Sequence, residues 1–222
     1  MSSTEDVPLT DEEEVTPTNT ENGESPIKIL VNLYSVIAGL ASVTAVKFLV
    51  SPNNVEIRNP FSIPLIDLLS FLLFFCFIIP FYQGAITYLH DTYDSKHHGK
   101  KFDILVDFLH LLAEGMVFYA ISASLIDILL FLSWLFVLIF IDTLWITSII
   151  LRSGMPSPEI KRTRIVWMLL NLGSFLFLLF MWILYTTNPN IVVSIQGYVI
   201  LFFFSLLRTI LDYIFTKSFY FG

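Results

Sequence analysis

Six long, continuously apolar segments follow one another along the chain and are separated by short polar breaks. They cover about residues 27–50, 62–89, 102–125, 127–151, 158–187 and 190–216. A bilayer core about 30 Å thick is crossed by a helix of roughly 20 apolar residues, so each segment is long enough for one crossing. The segments do not alternate polar and apolar positions as barrel strands do, and a helix satisfies its own backbone hydrogen bonds in lipid. The pattern therefore predicts an all-α integral membrane protein with about six transmembrane helices.

The breaks between the segments carry signals for the start and end of helices. A Ser-Pro pair stands at residues 25–26 and again at residues 157–158, an arrangement that favours helix initiation. The third and fourth segments form one apolar run of about 50 residues, too long for a single crossing. This run predicts a tight hairpin with its turn near residues 122–127. Pro80 lies inside the second segment, where a proline frees a backbone carbonyl and can kink the helix.

Composition agrees with a membrane protein and confines the excess of acidic residues to the start of the chain. Hydrophobic residues make up 55% and charged residues 14%, against about 25% charged residues in a soluble domain. Eight of the 19 acidic residues, and none of the 12 basic ones, lie in residues 1–26. We expect residues 1–25 to be a disordered acidic tail, because they cannot bury enough apolar surface to offset the entropy of ordering. Residues 26–222 are expected to form the transmembrane domain, and they lack the basic stripe of a nucleic-acid-binding protein.

The basic residues indicate which side of the membrane each connection faces. In a six-helix chain one side carries Lys28, Lys96, Lys100, Lys101, Arg152, Lys161, Arg162, Arg164 and Lys217. The other side carries only Lys47 and Arg58. Since connections rich in Lys and Arg stay in the cytoplasm, both chain termini are expected to be cytoplasmic. A five-helix chain would mix the two groups, so the charge pattern also favours six crossings.

Ionisable and amide side chains inside the segments are concentrated toward the expected cytoplasmic side. They are Gln83 in helix two, Asp107, His110 and Glu114 in helix three, Asp142 in helix four, Asn171 in helix five, and Arg208 and Asp212 in helix six. At 1.5 Å of rise per residue, His110, Asp142 and Arg208 lie about 12–14 Å from the cytoplasmic boundary. Charged side chains in a membrane usually face protein or water. The sequence therefore predicts a polar pocket open to the cytoplasm and closed on the other side by Phe- and Leu-rich packing.

Two interpretations of these polar groups stay open. In the first, Arg208 and the neighbouring acids form buried ion pairs that hold the bundle together. In the second, several acids around few bases form a site for an ion, a proton or a polar substrate. His110 and Glu114, spaced i and i+4, fit a metal-ligand pair, a proton relay or a hydrogen-bonded couple. The identity of any cofactor is left open, and a site for an ion or proton requires none.

Three classes of function fit the pattern. The first is a small channel or transporter-like protein with a cytoplasm-facing site for a cation or proton, in which several copies associate into a homo-oligomer. The second is a membrane-embedded enzyme acting on a lipid, with metal ligands or acid and base groups supplied by Asp107, His110, Glu114 and Asp142. The third is a non-catalytic membrane scaffold whose acidic tail binds a basic partner.

Two further features concern packing. The four tryptophans, Trp134, Trp145, Trp167 and Trp182, are expected to include anchors at the membrane–water interface. A stretch of small residues at 38–42 in the first helix predicts a close contact with another helix. Both features describe how the bundle is held and do not identify a function.

Overall fold

The computed structural model describes residues 26–51, 57–93, 101–153 and 158–221, and every regular element in these ranges is helical. The long helices are α1 (Pro26–Val50), α2 (Leu65–Tyr93), α3 (Lys101–Ala123), α4 (Ile128–Ser153), α5 (Pro158–Thr187) and α7 (Ile195–Phe215). The short elements in the described ranges are a 3-10 turn at Pro60–Ser62, α6 (Pro189–Val192) and α8 (Lys217–Phe221). Residues 1–25, for which the sequence predicts an acidic tail, lie outside the described residues.

The six long helices have the length and composition of membrane crossings, which confirms the predicted all-α membrane fold. Their apolar stretches cover 21 to 29 residues, against the roughly 20 that a bilayer core requires. The bounds predicted for the first and fifth helices agree with α1 and α5. The second helix begins at Leu65 rather than 62 and continues to Tyr93 rather than 89.

Helices α3 and α4 form the predicted hairpin, with the turn at residues 124–126. The Asp127 carboxylate accepts hydrogen bonds from the backbone N–H groups of Leu129 at 2.9 Å and Leu130 at 3.2 Å. These amides belong to the first turn of α4, which has no earlier carbonyl to bond. An aspartate cap therefore ends the turn, and neither glycine nor proline is needed to mark it.

The structure corrects the predicted continuous helix at residues 190–216, because a break at residues 193–194 divides it into α6 and α7. The Ser194 hydroxyl caps α7 by accepting a hydrogen bond of 3.4 Å from the Gly197 backbone N–H. A Cβ atom on Gly197 would lie 2.3 Å from the Val192 carbonyl oxygen, well inside van der Waals contact. The break therefore requires glycine at position 197.

The six long helices form a closed ring whose order differs from their order along the chain. Around the ring, α1 contacts α3, α3 contacts α4, α4 contacts α5, α5 contacts α7, α7 contacts α2, and α2 contacts α1. Among the largest fully buried side chains are Tyr34, Phe74, Phe77, Phe118 and Leu132. The ring brings α2, α4, α5 and α7 around one part of the interior, where most of the intramembrane polar residues lie.

Helices α1 and α3 approach each other closely, and small residues on both helices contribute to the contact. A Cβ atom on Gly115 would come within 2.8 Å of the Ile37 Cγ2 atom. Ala38 and Ala41 are buried, whereas the space around Gly39 is open. The small stretch predicted in helix one therefore packs through its alanines rather than through its glycine.

Pro80 leaves the Cys76 carbonyl of α2 without its usual intrahelical donor. The Thr209 hydroxyl of α7 donates a hydrogen bond of 2.7 Å to this carbonyl. No water is present in a bilayer core to serve that purpose, so the neighbouring helix provides the donor. The proline thus allows a specific hydrogen bond between α2 and α7 near the middle of both helices.

The six crossings place the beginning of α1 and the end of α7 at the same end of the bundle. That end, called the basic end below, carries the described residues Lys28, Arg152, Lys161, Arg162, Arg164 and Lys217. At the opposite end Arg58 forms an ion pair with Asp67. That the basic end faces the cytoplasm stays a prediction from the charge pattern.

Candidate functional site

Polar side chains inside the bundle form two groups, which lie between its middle and the basic end. The first group, called the Asp107 cluster, consists of Asp107, Tyr88, Tyr93, Trp145 and Arg152. The second group, called the Arg208 cluster, consists of Asp142, Asn171, Ser174, Arg208 and Asp212. The two clusters differ in how their charges are balanced, and this difference decides which of them is a candidate site.

Asp107 on α3 is completely buried and accepts hydrogen bonds from α2 and α4. Its Oδ2 atom accepts from the Tyr93 hydroxyl at 2.5 Å and from the Tyr88 hydroxyl at 3.3 Å. Its Oδ1 atom accepts from the Trp145 indole nitrogen at 3.0 Å and from Arg152 Nη2 at 2.5 Å. A carboxylate with a cation and three further donors has no free hydrogen-bonding capacity, so the cluster holds three helices together.

The sequence groups Asp107 with Arg208, whereas the structure pairs Asp107 with Arg152. Position alone assigns Arg152 to the connection after helix four, at the membrane surface. Its side chain instead reaches into the bundle, where Nη1 donates to the Asp103 carbonyl oxygen at 3.1 Å. Long arginine side chains can extend in this way while their backbone stays near the interface. Asp107 is therefore paired apart from Arg208, although its partner Trp145 lines the same cavity as Arg208.

Arg208 on α7 is buried, with 6% of its surface exposed, and neutral groups hold its guanidinium. Its Nε donates to Ser174 Oγ at 3.0 Å, and its Nη2 donates to Asn171 Oδ1 at 3.2 Å. The guanidinium carbon lies 4.5 Å from the centre of the Phe81 ring, a cation–π distance. Among the described residues, no carboxylate oxygen lies within the 4.0 Å of an ion pair from this guanidinium.

Asn171 stands between the positive and negative groups of the Arg208 cluster. Its Oδ1 accepts from Arg208, while its Nδ2 donates to Asp142 Oδ2 at 2.6 Å and to Thr143 Oγ1 at 3.2 Å. One amide therefore links the cation to the anion and keeps them apart. The predicted buried ion pair between Arg208 and an acid is thus absent from the described part of the chain, and Asp142 is not neutralised by direct contact.

Asp212 lies one turn beyond Arg208 on α7 and is covered by α8. Its Oδ1 accepts from the Trp167 indole nitrogen at 3.0 Å, and its Oδ2 accepts from the Tyr220 hydroxyl at 3.2 Å. The Phe219 ring packs edge-on against Trp167 with 4.9 Å between ring centres, which fixes α8 against α5. Burial and the neighbouring Asp212 carboxylate raise the pKa of Tyr220, so its hydroxyl stays protonated and remains a donor.

A small cavity lies between α2, α4, α5 and α7, with α8 contributing to its wall. Its polar and indole-bearing lining residues are Asp142, Asn171, Arg208, Asp212, Trp145, Trp167 and Tyr220. Its apolar lining includes Phe81, Gly84 and Ile146. The volume open to water-sized molecules is about 30 Å³, and roughly 10–15 Å³ is needed to hold one water. The space therefore suits about two waters, a proton carried by them, or a small cation, and is too small for a lipid chain.

Glu114 on α3 lies outside the cavity wall and is almost fully buried. His110, one turn nearer the basic end, is partly exposed, and its Nδ1 lies 2.9 Å from the Val106 carbonyl oxygen. A carbonyl only accepts hydrogen bonds, so Nδ1 is the donor in this contact. The two side chains are therefore neighbours on one helix with separate hydrogen-bonding surroundings.

Metal ligation by His110 and Glu114 requires further ligands, since protein zinc sites use three or four side chains. The part of the chain that the structure describes contains no group of three or more His, Cys, Asp or Glu side chains placed to hold a metal ion. Metal ligation by His110 and Glu114 stays a prediction from their spacing.

The predicted site residues therefore lie in several different environments. Those that line the cavity are Asp142, Asn171, Arg208 and Asp212. Asp107 belongs to the Asp107 cluster, and His110 and Glu114 lie beside the cavity on α3. Gln83 lies elsewhere between α2 and α7, where its Oε1 accepts a hydrogen bond of 2.5 Å from the Tyr213 hydroxyl.

The sequence interpretation misses the roles of two tryptophans. Trp145 and Trp167 are expected among the interface anchors, yet their indole nitrogens donate to Asp107 and Asp212. Each indole lies at a depth similar to that of the buried acid that it contacts. That match in depth is the signal in the sequence that could have identified both as partners of buried carboxylates, since a buried indole N–H needs an acceptor.

Comparison with known proteins adds no relative from which a function could be transferred. No protein-family model, no curated protein and no solved structure matches this chain. The function must therefore be inferred from the chemistry of the cavity and its surroundings.

Proposed function

We propose that this multi-pass membrane protein is a small transporter-like protein that takes up a proton or a small cation at the cavity of the Arg208 cluster. The observation that carries the proposal is the balance of charge around the cavity. Asp142 and Asp212 line it, Glu114 lies beside it, and Arg208 is the one basic side chain among the described residues of its lining. A bound proton or small cation would balance this excess of acids.

The physical reason is the high free energy of an uncompensated charge inside a membrane protein. Ionised acids in transmembrane segments persist when they are paired or reach water, and otherwise they take up a proton. Arg208 is held by Ser174 and Asn171 and contacts none of the acids within ion-pair distance. Protons or a small cation bound at the carboxylates supply the missing positive charge.

The size of the cavity supports a small ligand over a lipid substrate. Room for about two waters accommodates a hydrated proton or a partly dehydrated small cation. A lipid-modifying enzyme needs space for an acyl chain or an isoprenoid, and this cavity does not provide it. The basic end, which we place in the cytoplasm from the charge pattern, is the end of the bundle nearer to Asp142 and His110.

The test is ion uptake by the full-length protein in liposomes. A pH gradient or a Na⁺ or K⁺ gradient is imposed, and internal pH or cation content is followed with a fluorescent indicator. The wild-type protein should give uptake above protein-free liposomes, and Asp142→Asn should reduce it to that background. The matched control is Asp103→Asn, the same chemical change at a partly exposed acid outside the cavity. Wild-type flux equal to the background for all three ions would overturn the proposal.

A further inference from the structure

Three buried polar atoms in and beside the cavity have no hydrogen-bond partner among the described residues. They are the Glu114 Oε1 atom on α3, the Tyr34 hydroxyl on α1 and the Arg208 Nη1 atom on α7. Glu114 is 2% exposed and Tyr34 is 1% exposed, so neither group is solvated by the surroundings of the protein. Buried polar atoms in folded proteins nearly always have partners, and an exception calls for an explanation.

The groups facing Glu114 contain no compensating cation among the described residues. Tyr34 faces it from α1, Asp142 acts on it from α4, and His110 lies one turn away on α3 with its Nδ1 bonded to Val106. From α2, Tyr82 packs on Tyr34 with 5.4 Å between ring centres, and its hydroxyl is engaged with Ser35 at 2.7 Å. No arginine or lysine lies within ion-pair distance of Glu114 in the described ranges.

An ionised Glu114 in these surroundings would be a buried anion beside a second acid, which is the least favourable arrangement of charge. A neutral carboxylic acid at the same position has an O–H group to donate and removes the repulsion with Asp142. Burial, the neighbouring Asp142 and the lack of a cation therefore favour the acid form of Glu114 over the carboxylate.

We infer that Glu114 holds a proton in the resting protein and forms, with Tyr34, an inner proton-binding site that exchanges with Asp142. This inference rests on the proposed function and identifies its ligand as the proton. In the exchange, the O–H bond of Glu114 breaks and an O–H bond forms on Asp142, directly or through cavity water. The negative charge moves in the opposite direction, so no further reactant is needed. Tyr34 is a positioning residue: its hydroxyl makes no hydrogen bond in the resting arrangement and is placed to donate to the Glu114 carboxylate once the proton has left.

A hydrophobic carbodiimide tests this state directly, because it modifies protonated carboxyl groups that lie in the membrane. The full-length protein in liposomes is treated with dicyclohexylcarbodiimide, digested and analysed by mass spectrometry. We expect an adduct at Glu114 and none at Asp107. Asp107 is the matched control, since it is buried on the same helix but forms an ion pair with Arg152. An adduct at Asp107 with none at Glu114 would overturn the inference.

Infrared spectroscopy provides a second measurement that does not depend on access of the reagent. The carbonyl band of a protonated carboxylic acid should be present in the wild-type protein and absent in Glu114→Gln. Tyr34→Phe should shift this band while leaving it present, because it removes the hydroxyl next to the acid. If Glu114→Gln does not fold, the band shift in Tyr34→Phe and the adduct in the wild-type protein decide whether Glu114 is protonated.

The two proposals fail in different ways. Cation or proton uptake that depends on Asp142, with no adduct and no acid band at Glu114, contradicts the inner site and leaves the proposed function standing. An adduct and a band at Glu114 without any uptake contradict the proposed function.

Discussion

The Arg208 guanidinium is bound by the side-chain amide of Asn171, with 3.2 Å between Nη2 and Oδ1, and not by a carboxylate. The same amide donates to Asp142 at 2.6 Å. The neutral Asn171 therefore lies between Arg208 and Asp142, both of which line the cavity. The arrangement differs from the Asp107 cluster, in which Arg152 contacts its acid directly.

Removing the amide should destabilise the bundle. In Asn171→Ala, Arg208 and Asp142 each lose a charge-assisted hydrogen bond inside the bundle. We expect the free energy of unfolding to fall by about 2–4 kcal/mol. The measurement is the thermal unfolding midpoint of the protein in detergent. Asn190→Ala, at an exposed asparagine of α6, is the control and should change little. Equal midpoints for the two variants would show that Asn171 does not hold the charges.

Loss of the basic member of the Asp107 cluster should be more severe. Arg152→Ala leaves a completely buried carboxylate without a cation, and breaking such a pair destabilises proteins by about 3–5 kcal/mol. Chemical unfolding of the purified variant would measure this loss of unfolding free energy. The exposed Arg162→Ala serves as the comparison, because removing a solvated surface charge has an effect below about 1 kcal/mol. A loss no larger than that of Arg162→Ala would mean that Asp107 finds compensation elsewhere.

The break between α6 and α7 should tolerate no side chain at Gly197. In Gly197→Ala the added methyl group would overlap the Val192 carbonyl oxygen, so the backbone must shift. We expect this shift to lower the free energy of unfolding by about 1–3 kcal/mol or more. Gly173→Ala makes the same chemical change in α5, where nothing lies within 4 Å of the new atom. There we expect no loss, or a gain of up to about 1 kcal/mol from helix propensity. Unfolding midpoints that rank the two variants in the reverse order would contradict this account of the break.

The contribution to stability of the hydrogen bond between Thr209 and the carbonyl freed by Pro80 should also be measurable. Thr209→Val keeps the shape of the side chain and removes the donor, which leaves the Cys76 carbonyl unsatisfied at about 1–3 kcal/mol. Amide hydrogen exchange along α2 should increase around Pro80. Thr186→Val, at an exposed threonine of α5, is the control variant. Unchanged exchange in Thr209→Val would indicate that the carbonyl is satisfied without the threonine.

The candidate site could be predicted in part from the sequence. The depth of each polar residue along its helix follows from counting residues, and four of the predicted residues, Asp142, Asn171, Arg208 and Asp212, line one cavity in the structure. Depth does not determine which way a side chain points around the helix axis. For that reason Asp107 was grouped with Arg208, although it bonds to Arg152, and Gln83 was placed in the pocket, although it bonds to Tyr213.

The six crossings and the depth of each polar residue along its helix were determined by the sequence alone. Both depend on local properties, because transfer into lipid requires a continuous apolar run and a helix rises 1.5 Å per residue. The tertiary structure decided the order of the helices around the ring, the inward direction of Trp145 and Trp167, and the separation of Arg208 from the acids by Asn171. Helices that are apolar on nearly every face carry little information about their neighbours, so the fit of side chains between helices makes that choice.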